Sequence, residues 1–150
     1  MGICVVVAVE NQEEPPVDVR SDGKPLGWIV AGWIWYPKVI QAMGLAPESV
    51  KALSLLDYGP YRDEGETPTN AWQDPSILKA ALKNVGAALA RMRNNPSELE
   101  RLRAASQEYE GDYFGSDSDW WDSTNEDIED AIKTCEWAIS HKKRVALVAS

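Results

Sequence analysis

Asp74-Pro75-Ser76-Ile77-Leu78-Lys79-Ala80-Ala81-Leu82-Lys83-Asn84-Val85-Gly86-Ala87-Ala88-Leu89-Ala90-Arg91-Met92-Arg93 is the stretch that decides the fold class. Aspartate followed by proline is a helix start: the carboxylate caps free N–H groups, and proline suits the first helical position because it has no N–H to leave unpaired. From there Ile77, Leu78, Ala81, Leu82, Val85, Ala88, Leu89 and Met92 recur at helical spacing and share one face. Arg91 and Arg93 fall in the last turn, where cations complement the helix dipole. A helix with so long an apolar face must bury it, so the rest of the chain has to supply partners.

C-terminal to this helix, Asn94-Asn95-Pro96 breaks it and starts another. Asn95 with Glu98 is a capping-box variant, and Leu99, Leu102, Ala105 and Tyr109 make a narrower stripe. Such a short link predicts an antiparallel helical hairpin. Gly111 to Ser123 reads as an acidic loop, and Thr124 as the cap of a last helix that buries Ile128, Ala131, Ile132, Cys135, Ala138 and Ile139. Lys142, Lys143 and Arg144 close that helix, and Val145 to Ala149 is a short buried strand.

In the other direction, Asp57 to Trp72 is a loop rich in Gly, Pro and charge, and Glu10 to Pro25 is a second polar loop. Two short helices, Pro37 to Ala42 and Pro47 to Leu56, flank Gly44. Ile3 to Val9 is β-branched and does not alternate, which predicts a strand buried on both faces. Leu26 to Tyr36 is apolar or glycine throughout; its β-branched and aromatic content favours a strand. Neither terminal strand is stable alone, so the two are expected to pair. The expected fold is α+β: a mostly helical single domain over residues 1–150, with a small sheet formed by the chain-terminal strands and Leu26 to Tyr36 as a further candidate.

The 150 residues are 44% hydrophobic and 26% charged, which suits one globular domain. Cys4 and Cys135 lie in apolar segments and read as small core residues without a disulfide, which fits a reducing, cytoplasmic setting. Ile3 to Val9 has neither the basic residue before it nor the cleavage-like site after it that a signal peptide needs. The apolar run from Leu26 stops at Tyr36, short of the roughly 20 residues that span a bilayer. No membrane partner is therefore expected.

Tests for chemistry return no catalytic residue, metal site or cofactor motif. His141 is the single histidine, and neither C-x-x-C nor H-x-x-x-H occurs. Cys135 and His141 fall on different faces of one helix; His141 reads as a helix-terminus residue contacting the last carbonyls. Pairing of Cys4 with His141 would need the fold to bring them together. Asp117, Asp119 and Asp122 invite a calcium reading, but an EF-hand loop counted from Asp117 would need an oxygen ligand, glycine and glutamate where Trp121, Asp122 and Ile128 stand. Neither phosphate-binding glycine loop is present.

Ile40-Gln41-Ala42-Met43-Gly44-Leu45-Ala46-Pro47-Glu48-Ser49-Val50 resembles a helix-turn-helix. Packing of two short helices around Gly44 produces the same pattern. Lys51 is the one cation of the would-be recognition helix, and the net charge is −9, so no nucleic-acid partner is expected.

That charge is localised. Ala104 to Ile132 holds ten carboxylates (Glu108, Glu110, Asp112, Asp117, Asp119, Asp122, Glu126, Asp127, Glu129, Asp130) and no lysine or arginine. Tyr109, Tyr113, Phe114, Trp120 and Trp121 are interleaved with them. One explanation is a solvated loop, with Glu126 and Asp127 at a helix N-terminus and the aromatics tucked inward. The other is a contact surface made by Tyr113, Phe114, Asp117, Asp119, Trp120, Trp121 and Asp122 for a basic protein. Adjacent indoles on an extended loop cannot share a buried face, which would leave one of them outside.

In type the chain resembles bacterial immunity proteins against secreted toxins: small, acidic, rich in tryptophan and without catalytic motifs. That likeness implies a small acidic cytoplasmic protein-binding module that neutralises or regulates a basic partner, a toxin being the implied class. The alternatives are an enzyme using carboxylates that composition does not single out, and a helix-turn-helix transcriptional regulator. No feature of the sequence implies an oligomeric state.

Overall fold

The computed structural model describes residues 5–10, 28–29, 37–54, 72–110 and 118–149, with side chains for 7–10, 38–54, 72–105 and 121–147. In chain order the elements are β1 (Val5–Val9), β2 (Trp28–Ile29), α1 (Pro37–Ala42), α2 (Pro47–Ser54), α3 (Pro75–Arg93), α4 (Pro96–Glu110), α5 (Ser118–Ser140) and β3 (Val145–Ala149). The fold is α+β and mostly helical. The remainder of Leu26 to Tyr36, the predicted loops at 11–25 and 57–71, residues 111–117 of the acidic segment, and Cys4 lie outside the described residues.

The chain-terminal strands pair as expected. β1 is central, antiparallel to β3 from Val5 opposite Ala149 to Val9 opposite Val145, and antiparallel to β2 at Val5–Ile29 and Val6–Trp28. Burial on both faces has a simple basis. Val7, Val9, Val145 and Leu147 join the helical core, while Ala8 and Ala146 turn the other way and pack with Trp72. The β1–β3 end is closed by Glu10, whose carboxylate takes two guanidinium bonds from Arg144 (2.6 and 3.1 Å).

α3 is the hub. Its start follows the sequence: the Ser76 backbone N–H and hydroxyl both donate to Asp74 Oδ1, at 2.8 and 2.7 Å. Every residue of its predicted apolar face is buried except Ile77, which is 53% exposed. On the same helix, Asn84 donates to Ser49 Oγ on α2 at 2.8 Å. Against α5 the contacts run in reverse order: Lys79 with Glu136, Gly86 near Ile128, Arg93 with Asp122. α3 and α5 are therefore antiparallel.

α4 starts on Asn95, whose Oδ1 accepts from the Glu98 N–H (3.3 Å) and Ser97 Oγ (2.9 Å). The Glu98 carboxylate does not complete the capping box. It pairs with Arg91 and Arg101 instead. Those two arginines in turn donate to Met43 O and Ala42 O, the carbonyls at the end of α1. Arg91 thus serves the C-terminus of α1 as well as the dipole of its own helix. Gly44 follows α1 at φ +66°, a left-handed turn suited to glycine, and α2 begins three residues later.

The expected acidic loop up to Ser123 is corrected by α5, which already starts at Ser118. Thr124 is no cap; it lies inside the helix and is buried. Glu126 and Asp127 are consequently not first-turn residues. The cause is tertiary: Trp121, Thr124, Ile128, Ala131, Cys135 and Ala138 form one buried stripe at spacings of three and four, so packing carries the helix past a polar N-terminal stretch with weak propensity. Ile139, expected inside, is 42% exposed.

Candidate functional site

The antiparallel contact of α3 with α5 leaves a groove of about 230 Å³ at the end of α3, lined by Gly86, Leu89, Ala90, Arg93, Asn94, Trp121, Asp122 and Asn125. Its floor is Trp121, 8% exposed. Its width comes from small residues on α3. Gly86 and Ala90 are one turn apart, and a Cβ added at Gly86 would meet only Ile128 Cγ2, at 3.9 Å. Packing therefore does not require glycine here. A glycine inside a helix costs roughly 1 kcal/mol relative to alanine.

The polar wall is organised by Arg93. Its guanidinium carbon lies 5.8 Å from the centroid of the Trp121 ring, and Nη1 is 3.4 Å from Asp122 Oδ1. Beyond Asp122, Glu126 and Glu129 continue the same exposed face of α5, and Asn125 Nδ2 donates to Glu129 Oε1 at 3.4 Å. Asp127 and Asp130 are buried, so a partner does not touch them.

Of the predicted contact residues, Trp121 and Asp122 are brought together in this groove. Asp119 and Trp120 lie on α5, but their side chains are outside the described set, as are Tyr113, Phe114 and Asp117 altogether. The premise of an extended loop fails for Trp120-Trp121: on a helix, neighbours diverge by about 100°. Trp121 turns onto α3 and is a floor, not a projecting anchor. The residues missed from sequence are Gly86, Ala90, Arg93, Asn94 and Asn125. Gly86 in a strong helical pattern was the one available signal.

Comparison of the chain with protein families, curated proteins and solved structures finds no match.

Other candidates separate in space. Cys135 is a fully buried free thiol, and burial pushes its pKa up to about 12, the wrong direction for a nucleophile. His141 stacks on Trp137 at 3.8 Å, and its Nδ1 lies 2.8 Å from Trp137 O. A carbonyl only accepts, so Nδ1 carries the proton, and the ring serves the helix terminus as expected. Among the described residues, no group of three or more His, Cys, Asp or Glu is placed to hold a metal ion. No helix among them is long and apolar enough to cross a membrane.

Proposed function

We propose that this protein is a small acidic cytoplasmic module that binds a basic protein and thereby neutralises or regulates it, in the manner of an immunity protein. The observation that carries the reading is the groove between α3 and α5. It has an aromatic floor, its acidic wall continues as Asp122, Glu126 and Glu129, and a glycine that packing does not demand widens it. Such a site accepts a cationic side chain: the indole face attracts the charge, and the carboxylates steer its approach. Ala104 to Ile132 holds ten carboxylates and no lysine or arginine while the rest of the chain is nearly neutral, so this segment carries the net negative charge that would attract a basic partner.

The test is capture of partners from the native host on the immobilised protein, followed by binding kinetics of a Glu126→Gln/Glu129→Gln variant at two ionic strengths. A basic partner should associate more slowly with the variant at low salt, with little change in dissociation, and the difference should shrink at high salt. Recovery of no basic protein, or equal association rates at both salts, would overturn the proposal.

A further inference from the structure

The groove already holds one cation, and it is the protein's own. Three of the described arginines, Arg91, Arg93 and Arg101, are held very differently. Arg91 is tied to Met43 O and Glu98, and Arg101 to Ala42 O and Glu98. Both bridge elements that must stay together. Arg93 has only Asp122 and the Trp121 ring as partners among the described residues. Both contacts are long: 3.4 Å against the 2.7–2.9 Å of a close charged hydrogen bond, and 5.8 Å near the outer limit of a cation–π contact. Arg93 is also the last residue of α3, and its side chain is 39% exposed. Rotation about its own side-chain bonds removes it from the groove without moving the helix.

We propose that Arg93 is an exchangeable internal stand-in for an arginine of the partner. The inference rests on the basic-partner reading and deepens it. On binding, the incoming guanidinium takes the place over Trp121 and beside Asp122, and its aliphatic stem lies against Leu89 and Ala90. The displaced Arg93 swings into solvent. What the protein's own guanidinium does there shows the chemistry the groove recognises: a planar cation that can both face an indole and pair with a carboxylate. The groove is thus autoinhibited, and the resident arginine sets a threshold that isolated cations meet poorly.

The probe is a capped Gly-Arg-Gly peptide, with its citrulline counterpart as the neutral control. Binding is read from the indole N–H resonance of Trp121, assigned by its loss in Trp121→Phe. Arg93→Gln should bind the arginine peptide about five-fold more tightly than wild type, the scale of one exposed ion pair plus one cation–π contact. Lys51→Gln makes the same charge change on α2 and should shift the affinity less than about two-fold, as expected of a screened distant charge. Arg93→Lys keeps charge and helix but loses the fork, and should fall between wild type and Arg93→Gln; it also serves if Arg93→Gln melts early. The citrulline peptide should leave the resonance unmoved. Equal gains for Arg93→Gln and Lys51→Gln would reduce the effect to bulk charge and overturn the proposal. So would a Trp121 indole that does not respond to the arginine peptide in either Arg93 variant. Neither result bears on whether a basic protein is captured from the host, so the two proposals fail separately.

Discussion

Two helix ends show how single residues trade conformation against chemistry. α5 ends in a Schellman arrangement: Lys143 N–H donates to Ala138 O at 3.0 Å and Lys142 N–H to Ile139 O at 3.2 Å. The residue that must turn left-handed is Lys142, at φ 55°, where a side chain crowds the backbone. Lys142→Gly should therefore raise stability by about 0.5–1 kcal/mol, visible as a higher melting temperature. Gly44→Ala is the converse. The position has open space around it but φ +66°, so the loss of about 1 kcal/mol would come from the backbone alone. Unchanged melting in both variants would contradict the left-handed geometry.

At the level of elements, α3 carries a conflict between folding and binding. Gly86→Ala removes the flexibility cost of glycine and adds a methyl that meets only one ordinary contact. The helix should gain about 0.5–1 kcal/mol, measured by denaturant titration. The same methyl narrows the groove, so affinity for the partner or an arginine peptide should fall. A variant that is more stable and binds equally well would show that Gly86 does not shape the site. The β1–β3 end offers a pH test. Hydrogen bonding to Arg144 holds the Glu10 carboxyl below the usual glutamate range. A depressed folded pKa means stability present above the unfolded value and lost as pH falls through the folded one. Between neutral and acid pH, Glu10→Gln should flatten that part of the loss; an identical acid profile would remove the pair from the stability balance.

For the molecule as a whole, one core joins the β1–β3 face, α1, α2, α3, α4 and α5, and Cys135 sits inside it, fully buried. The protonated thiol is favoured in the fold, with its pKa raised to about 12 from 9.0. Its contribution is therefore complete below the unfolded value and is lost as pH rises from about 9 to about 12. Denaturant titrations across that window should show Cys135→Ala losing stability with pH less steeply than wild type. Parallel slopes would show that the thiol is not desolvated in solution. At neutral pH the same burial should protect Cys135 from alkylation until the fold opens, as peptide mass mapping would reveal.

How much of this was written in the chain follows from the range of the forces involved. Asp74-Pro75, Asn95, Gly44 and the apolar periodicity of α3 act within a few residues of themselves, so the helices they start, stop or bend were legible directly. The terminal strands were legible for a related reason: Ile3 to Val9 and Val145 to Ala149 are too apolar to be left outside and too short to stand alone. What needed three dimensions was every choice made by a distant partner. Ser118 to Ser123 reads as a polar loop until Trp121 is placed on α3, where burial of an indole outweighs weak local helix propensity. Arg91 and Arg93 look equivalent at the end of one helix. Only the neighbouring elements separate them, giving one to the carbonyl of Met43 and the other to the indole of Trp121. Sequence alone thus determined the helical pattern, the pairing of the chain ends and where the negative charge is concentrated. The groove, its arginine and its floor were decided by packing between segments about 30 residues apart, because side chains choose partners by proximity in space.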